Sequence, residues 1–157
     1  MNNPEVVMIG LGYIGLPTAA LIAEGQTKVL GVDINQKVVD TVNRGEIHIV
    51  EPSLGESVAN AVSKGFLKAS LTPAMADTYL IVVPTPFKEK NEPDISFVKS
   101  ATKSIIPLLK KGDLYIIEST SPVGTTKKMM DFIHQERPEL KGKLHIAYWK
   151  CHVRISE

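Results

Sequence analysis

Cysteine is nearly missing from this chain: one residue, Cys151, stands among 157. A lone thiol closes no internal disulfide and builds no cysteine metal cluster. Its place close to the chain end reads as a terminal free thiol. The four histidines, His48, His134, His145 and His152, show no metal-ligand spacing. An excess of charge is missing too. Eighteen Lys and Arg against 17 Asp and Glu leave a net +1, so nothing electrostatic points to nucleic acid or to an anionic membrane. No apolar run approaches the ~20 residues that cross a bilayer. The start, "MNNPEVVMIG", lacks the basic-then-apolar layout of a secretory leader. These absences set the expectation of a soluble cytoplasmic protein with no metal, membrane or nucleic-acid partner. What remains is ordinary globular composition, 43% apolar and 22% charged, at a length that suits one domain with a real core.

Short apolar runs alternate with helical patterns. Strands are expected at 6–9, 28–33, 67–70, 79–83, 114–119 and 144–149. Helices are expected at 14–24, from the Asn35 cap to about 44, at 53–64, 96–109 and 125–136, with a brief one opening at Pro73. Pro107 must distort or end the last turn of its helix. The strands are apolar at consecutive positions, which suits a parallel sheet covered on both faces. The β-α-β rhythm predicts a doubly wound α/β fold. The polar, proline-flanked loop 86–94, "PFKEKNEPD", reads as a mobile, solvated connection.

Three glycines, Gly10, Gly12 and Gly15, fall between the first strand and the first helix as G-x-G-x-x-G. The first permits a tight turn, the second lets backbone approach a pyrophosphate, and the third lets helix and strand pack closely. The helix start then offers N–H groups and a positive dipole end to phosphate. The motif is weak alone, but here it follows a strand, opens a helix, and an acid ends the next strand. That acid, Asp33, lies 18 positions after Gly15 (33 − 15 = 18), placed to accept hydrogen bonds from ribose hydroxyls. It would repel a 2′-phosphate, and the following "INQK" brings no arginine, so NAD is expected over NADP. Two further stretches, "VVPTPF" at 82–87 and "ESTSPVGTT" at 118–126, put hydroxyls between prolines at strand ends. Turn chemistry explains each alone. Together they fall on the edge where open α/β sheets bind ligands.

With "IGLGYIGLPTAALIAEG", "VLGVDINQKVVDTVNRGEIHIVEPSL", "VVPTPF", "EPDISFV" and "ESTSPVGTT", in that order, the chain resembles the amino-terminal domain of the UDP-glucose/GDP-mannose dehydrogenase family. The pieces cover most of residues 6 to about 130. The versions "NRGEIHIVEP" and "PTPF…EPD" resemble its bacterial UDP-N-acetyl-D-mannosamine branch. The resemblance implies oxidation of the C6 hydroxymethyl of a UDP-sugar to a carboxylate, for surface polysaccharides. Two NAD molecules would act in turn, with a covalent thiohemiacetal and then a thioester on a catalytic cysteine. It implies that Gly10, Leu11, Gly12, Tyr13, Ile14, Gly15, Asp33, Thr85 and Thr120 meet NAD. Thr120 would also act in catalysis by placing a water or the reacting oxygen. Glu51 and Pro52 match a loop element expected to be structural.

The resemblance stops at Trp149, where "IAYWKCHVRISE" replaces the family's continuation. The expected division is therefore a NAD-binding domain at 1–148 and a divergent tail at 149–157. The family's connecting helix, catalytic cysteine and UDP-sugar domain are missing. On this reading the chain is truncated and inactive alone. It would bind a UDP-sugar only if the missing domain were supplied, and the homodimer that the connecting helix builds in the family stays open. The alternative is a small non-catalytic NAD-binding or interaction module.

Overall fold

The computed structural model of the chain describes residues 3–86, 93–118 and 121–149. Among them six strands form one sheet: β1 (Val6–Ile9), β2 (Val29–Val32), β3 (Leu67–Ser70), β4 (Thr78–Ile81), β5 (Leu114–Ile117) and β6 (His145–Tyr148). The order is β3-β2-β1-β4-β5-β6, and every neighbouring pair is parallel. The chain winds outward from β1 to β3, returns to place β4 beside β1, and winds outward the other way. Its topological switch point is the β1–β4 seam.

Consecutive apolar residues feed two cores because strand side chains alternate between faces. Val6, Met8, Val29 and Leu80 face one way, with α1 (Gly15–Glu24), α2 (Gln36–Asn43) and α3 (Leu54–Ser63) over them. Val7, Ile9, Leu30, Tyr79, Ile81, Tyr115 and Ile117 face the other way, under α4 (Ser96–Ile105) and α5 (Thr125–Glu136). The doubly wound α/β expectation holds.

Local signals explain most boundaries. Asn35 caps α2, its side chain accepting from the Lys37 amide at 3.0 Å. Pro107 ends α4 at Ile105, and the chain tightens into a 3-10 turn over Ile106–Leu108. On α4, the Thr102 hydroxyl lies 2.6 Å from that of Tyr115, both fully buried. The brief helix expected at Pro73 does not form. Tyr79 takes over that segment instead: its hydroxyl accepts from the Ala76 amide at 3.0 Å and donates to the Ala74 carbonyl at 3.4 Å. A second short 3-10 turn, Pro138–Leu140, follows α5 where only a helix stop was expected. Ser119, residues 87–92 of the polar loop, and the tail from Lys150, with Cys151 and His152, lie outside the described residues.

Candidate functional site

The site is built where strands end. One extra backbone hydrogen bond carries each parallel ladder a residue past its strand. Gly10 donates to Val32 O (2.8 Å), Val82 to Ile9 O (2.8 Å), Glu118 to Ile81 O (2.9 Å) and Trp149 to Ile117 O (3.0 Å), while Asp33 donates to Ser70 O (3.2 Å). Asp33, Gly10, Val82, Glu118 and Trp149 thus form one row along the carboxyl edge of the sheet.

The three glycines hold different offices. Gly10 has φ +101°, and a Cβ there would stand 2.2 Å from the Val82 carbonyl oxygen. A Cβ on Gly15 would stand 1.9 Å from the Gly10 carbonyl oxygen. Both positions are closed to any side chain by backbone. Gly12 is the reverse, with no atom within 4 Å of its Cβ position. It is the one glycine of the three whose missing side chain leaves open space, as an approaching phosphate requires. The start of α1 carries no side-chain cap and no acid in its first turn. Its third helical residue is Pro17, tolerated because first-turn amides have no partner within the helix.

Asp33 joins loop and strand. Its Oδ2 accepts from the Leu11 amide at 3.1 Å and its Oδ1 from the Asn35 amide at 2.9 Å. The half-buried carboxylate is therefore fixed beside the glycine loop with lone pairs to spare. Leu11 enters the site as backbone alone, since its side chain is fully buried against Gly31. Tyr13 and Ile14 are exposed at the loop crest. Thr85 is half-buried just past β4, three residues beyond Val82 in the row. Thr120 lies outside the described residues. The structure thus brings together Gly10, Leu11, Gly12, Tyr13, Ile14, Gly15 and Asp33, with Thr85 further along the same edge. Among the described residues no cluster of three His, Cys, Asp or Glu could hold a metal ion, and no helix is long and apolar enough to cross a membrane.

An open carboxyl edge at a switch point, open space at Gly12 and a carboxylate tied to the loop fit a dinucleotide. The family model for the UDP-glucose/GDP-mannose dehydrogenase family, NAD binding domain, matches residues 4–155. The chain belongs to this family, as its NAD-binding domain. It is 60% identical to UDP-N-acetyl-D-mannosamine dehydrogenase of Escherichia coli K12, over 99% of this chain and 38% of that protein. It is 53% identical to NDP-N-acetyl-D-galactosaminuronic acid dehydrogenase of Ralstonia nicotianae, over 86% of this chain and 32% of that one. The solved UDP-N-acetyl-mannosamine dehydrogenase of Staphylococcus aureus superposes with a TM-score of 0.83 at 40% identity, covering 96% of this chain and 37% of that one. The chain thus spans well under half the length of the relatives it matches. The cofactor of this domain family is NAD.

One residue of the row escaped the sequence reading. Glu118 is 3% exposed, and among the described residues neither carboxylate oxygen has a hydrogen-bond partner. Burial pushes its carboxyl above the ordinary range, with no neighbouring charge contributing. The signal was an acid directly after the four apolar residues of "LYIIE".

Proposed function

We propose that this chain supplies the NAD-binding half of a UDP-sugar 6-dehydrogenase that converts UDP-N-acetyl-D-mannosamine to its uronate for a surface polysaccharide, in the cytoplasm. The observation that carries the cofactor half is the Asp33 carboxylate, held at 3.1 Å by the Leu11 amide beside the open Gly12. The 60% identity to a UDP-N-acetyl-D-mannosamine dehydrogenase supports the substrate. Bound NAD would supply the hydride acceptor. Asp33 takes the adenosine ribose hydroxyls, the loop from Gly10 to Gly15 takes the pyrophosphate, and Thr85 lies further along the edge; Thr120 would meet the cofactor by its match to the family's motif. The sugar nucleotide is held by the portion of the protein that the relatives carry beyond this span. The division into residues 1–148 as the binding domain and 149–157 as a separate tail belongs to the same proposal.

Calorimetric titration tests the reading. NAD binds to the chain, and NADP binds roughly tenfold or more weakly, because a 2′-phosphate meets Asp33. Equal or tighter NADP binding overturns the assignment of Asp33. In the whole protein, NADH formation with UDP-N-acetyl-D-mannosamine and none with UDP-glucose supports the substrate, and the opposite preference overturns it.

A further inference from the structure

We propose that Glu118 is a positioning residue for the nicotinamide half of the dinucleotide, its carboxyl group pairing with the ring's carboxamide. The inference deepens the NAD reading and rests on it. A carboxyl group 3% exposed, with neither oxygen hydrogen-bonded among the described residues, is a standing cost to the fold, and such a group calls for a reason. Its place in the row supplies one. The ribose acceptor Asp33 ends β2, the phosphate gap belongs to the loop after β1, and the same line continues over Val82 to Glu118. From Asp33 to Glu118 is three interstrand steps, about 14 Å at the usual strand spacing. An extended dinucleotide anchored at Asp33 and Gly12 runs in this direction along the carboxyl edge.

The side of the sheet agrees as well. Ile117 packs into the core under α4 and α5, while Ile116 packs toward the core of α1. Glu118, two residues after Ile116, therefore turns to the α1 side. Val82, its neighbour in the row, belongs to that same core, and its Cβ lies 3.5 Å from the Cβ position of Gly15 at the helix start. The carboxyl thus sits two strands beyond the glycine loop of β1, on the face that the helix start overlooks.

The chemistry matches a neutral ligand group. Burial with no cation beside it raises the carboxyl's pKa and so favours its protonated form. It then has one donor and one acceptor. A carboxamide offers the complementary acceptor and donor, so the two groups meet in a two-point pair. Because both oxygens are shielded, the proposal includes a local opening of this edge as the cofactor enters.

Paired titrations with ADP-ribose and NAD test it, since ADP-ribose lacks the nicotinamide. In Glu118→Met, ADP-ribose binding is unchanged and NAD binding weakens by about ten- to a hundredfold. Glu118→Gln, which keeps a donor and an acceptor, restores most of the NAD affinity. NAD binding unchanged in Glu118→Met overturns the proposal, and so does equal loss of both ligands. If the wild-type chain binds neither ligand, the NAD reading itself falls and this inference with it. A second measurement needs no variant. In carbon-13-labelled protein the Glu118 carboxyl resonance moves on adding NAD and not on adding ADP-ribose; a resonance indifferent to both overturns the proposal.

Discussion

Gly12 and Gly15 stand three residues apart in one loop and answer opposite questions, so substituting each separates binding from folding. At Gly15 the added Cβ falls 1.9 Å from the Gly10 carbonyl oxygen, a backbone atom that no rotamer change can move aside. The α1 start must be pushed off β1, at a cost of about 2–4 kcal/mol. For a chain of this size that lowers Tm by roughly 5–15 °C. At Gly12 there is no atom within 4 Å of the Cβ position, and its φ is not left-handed. Gly12→Val should therefore leave Tm within about 2 °C. Its side chain fills the space that the pyrophosphate needs, so NAD affinity falls by about a hundredfold or more. Differential scanning fluorimetry and calorimetry on the two variants read both quantities. A Gly15→Ala protein as stable as wild type would refute the packing argument. A Gly12→Val protein that binds NAD normally would refute the placement of the phosphate.

Asp33→Asn should leave circular dichroism unchanged and narrow the preference for NAD over NADP by about five- to a hundredfold, read by titrating both cofactors. Thr102→Val strands the buried Tyr115 hydroxyl and should cost about 1–3 kcal/mol in urea unfolding; the double variant Thr102→Val/Tyr115→Phe should recover most of it. Glu118 gives a pH signature. Its folded pKa is raised above the ordinary 4.5, so the folded state holds its proton longer than the unfolded state does. Stability from this group is complete below pH 4.5 and drains away as pH rises through the folded pKa. The Tm of Glu118→Gln relative to wild type should accordingly climb from about pH 4.5 upward, and a pH-independent difference would refute the burial argument.

What could be read before the structure was whatever the chain writes locally. The run Val6–Ile9, the glycines behind it and Asp33 eighteen residues later announce strand, turn, helix and strand end within one short window. Asn35 before α2 and Pro107 at the end of α4 are likewise messages from a residue to its near neighbours. Pro73 misled because a proline permits a helix start without requiring one; the hydroxyl of Tyr79, rooted in β4, decided that segment. Glu118 drew no reading at all. An acid after an apolar strand reads as the point where the chain reaches water. Its backbone place is set by partners that the sheet brings together, its own amide donating to Ile81 of β4 and Trp149 donating to Ile117 beside it, and neither partner is near it in sequence.

The β1–β4 seam also has a consequence in time. The glycine loop leaves a ribosome ahead of β4, yet its tight turn rests against the carbonyl of Val82. β1 finds this neighbour only when Met8 comes to lie against Leu80, across two intervening β-α passages. A nascent chain that has displayed only β1, α1 and β2 therefore holds every residue of the glycine motif, and Asp33 as well, but not the wall that fixes Gly10. Cofactor capture should begin only once β4 has emerged. Until then the inner side of β1 is an unpaired strand edge, the kind of surface on which nascent chains seek the wrong partner.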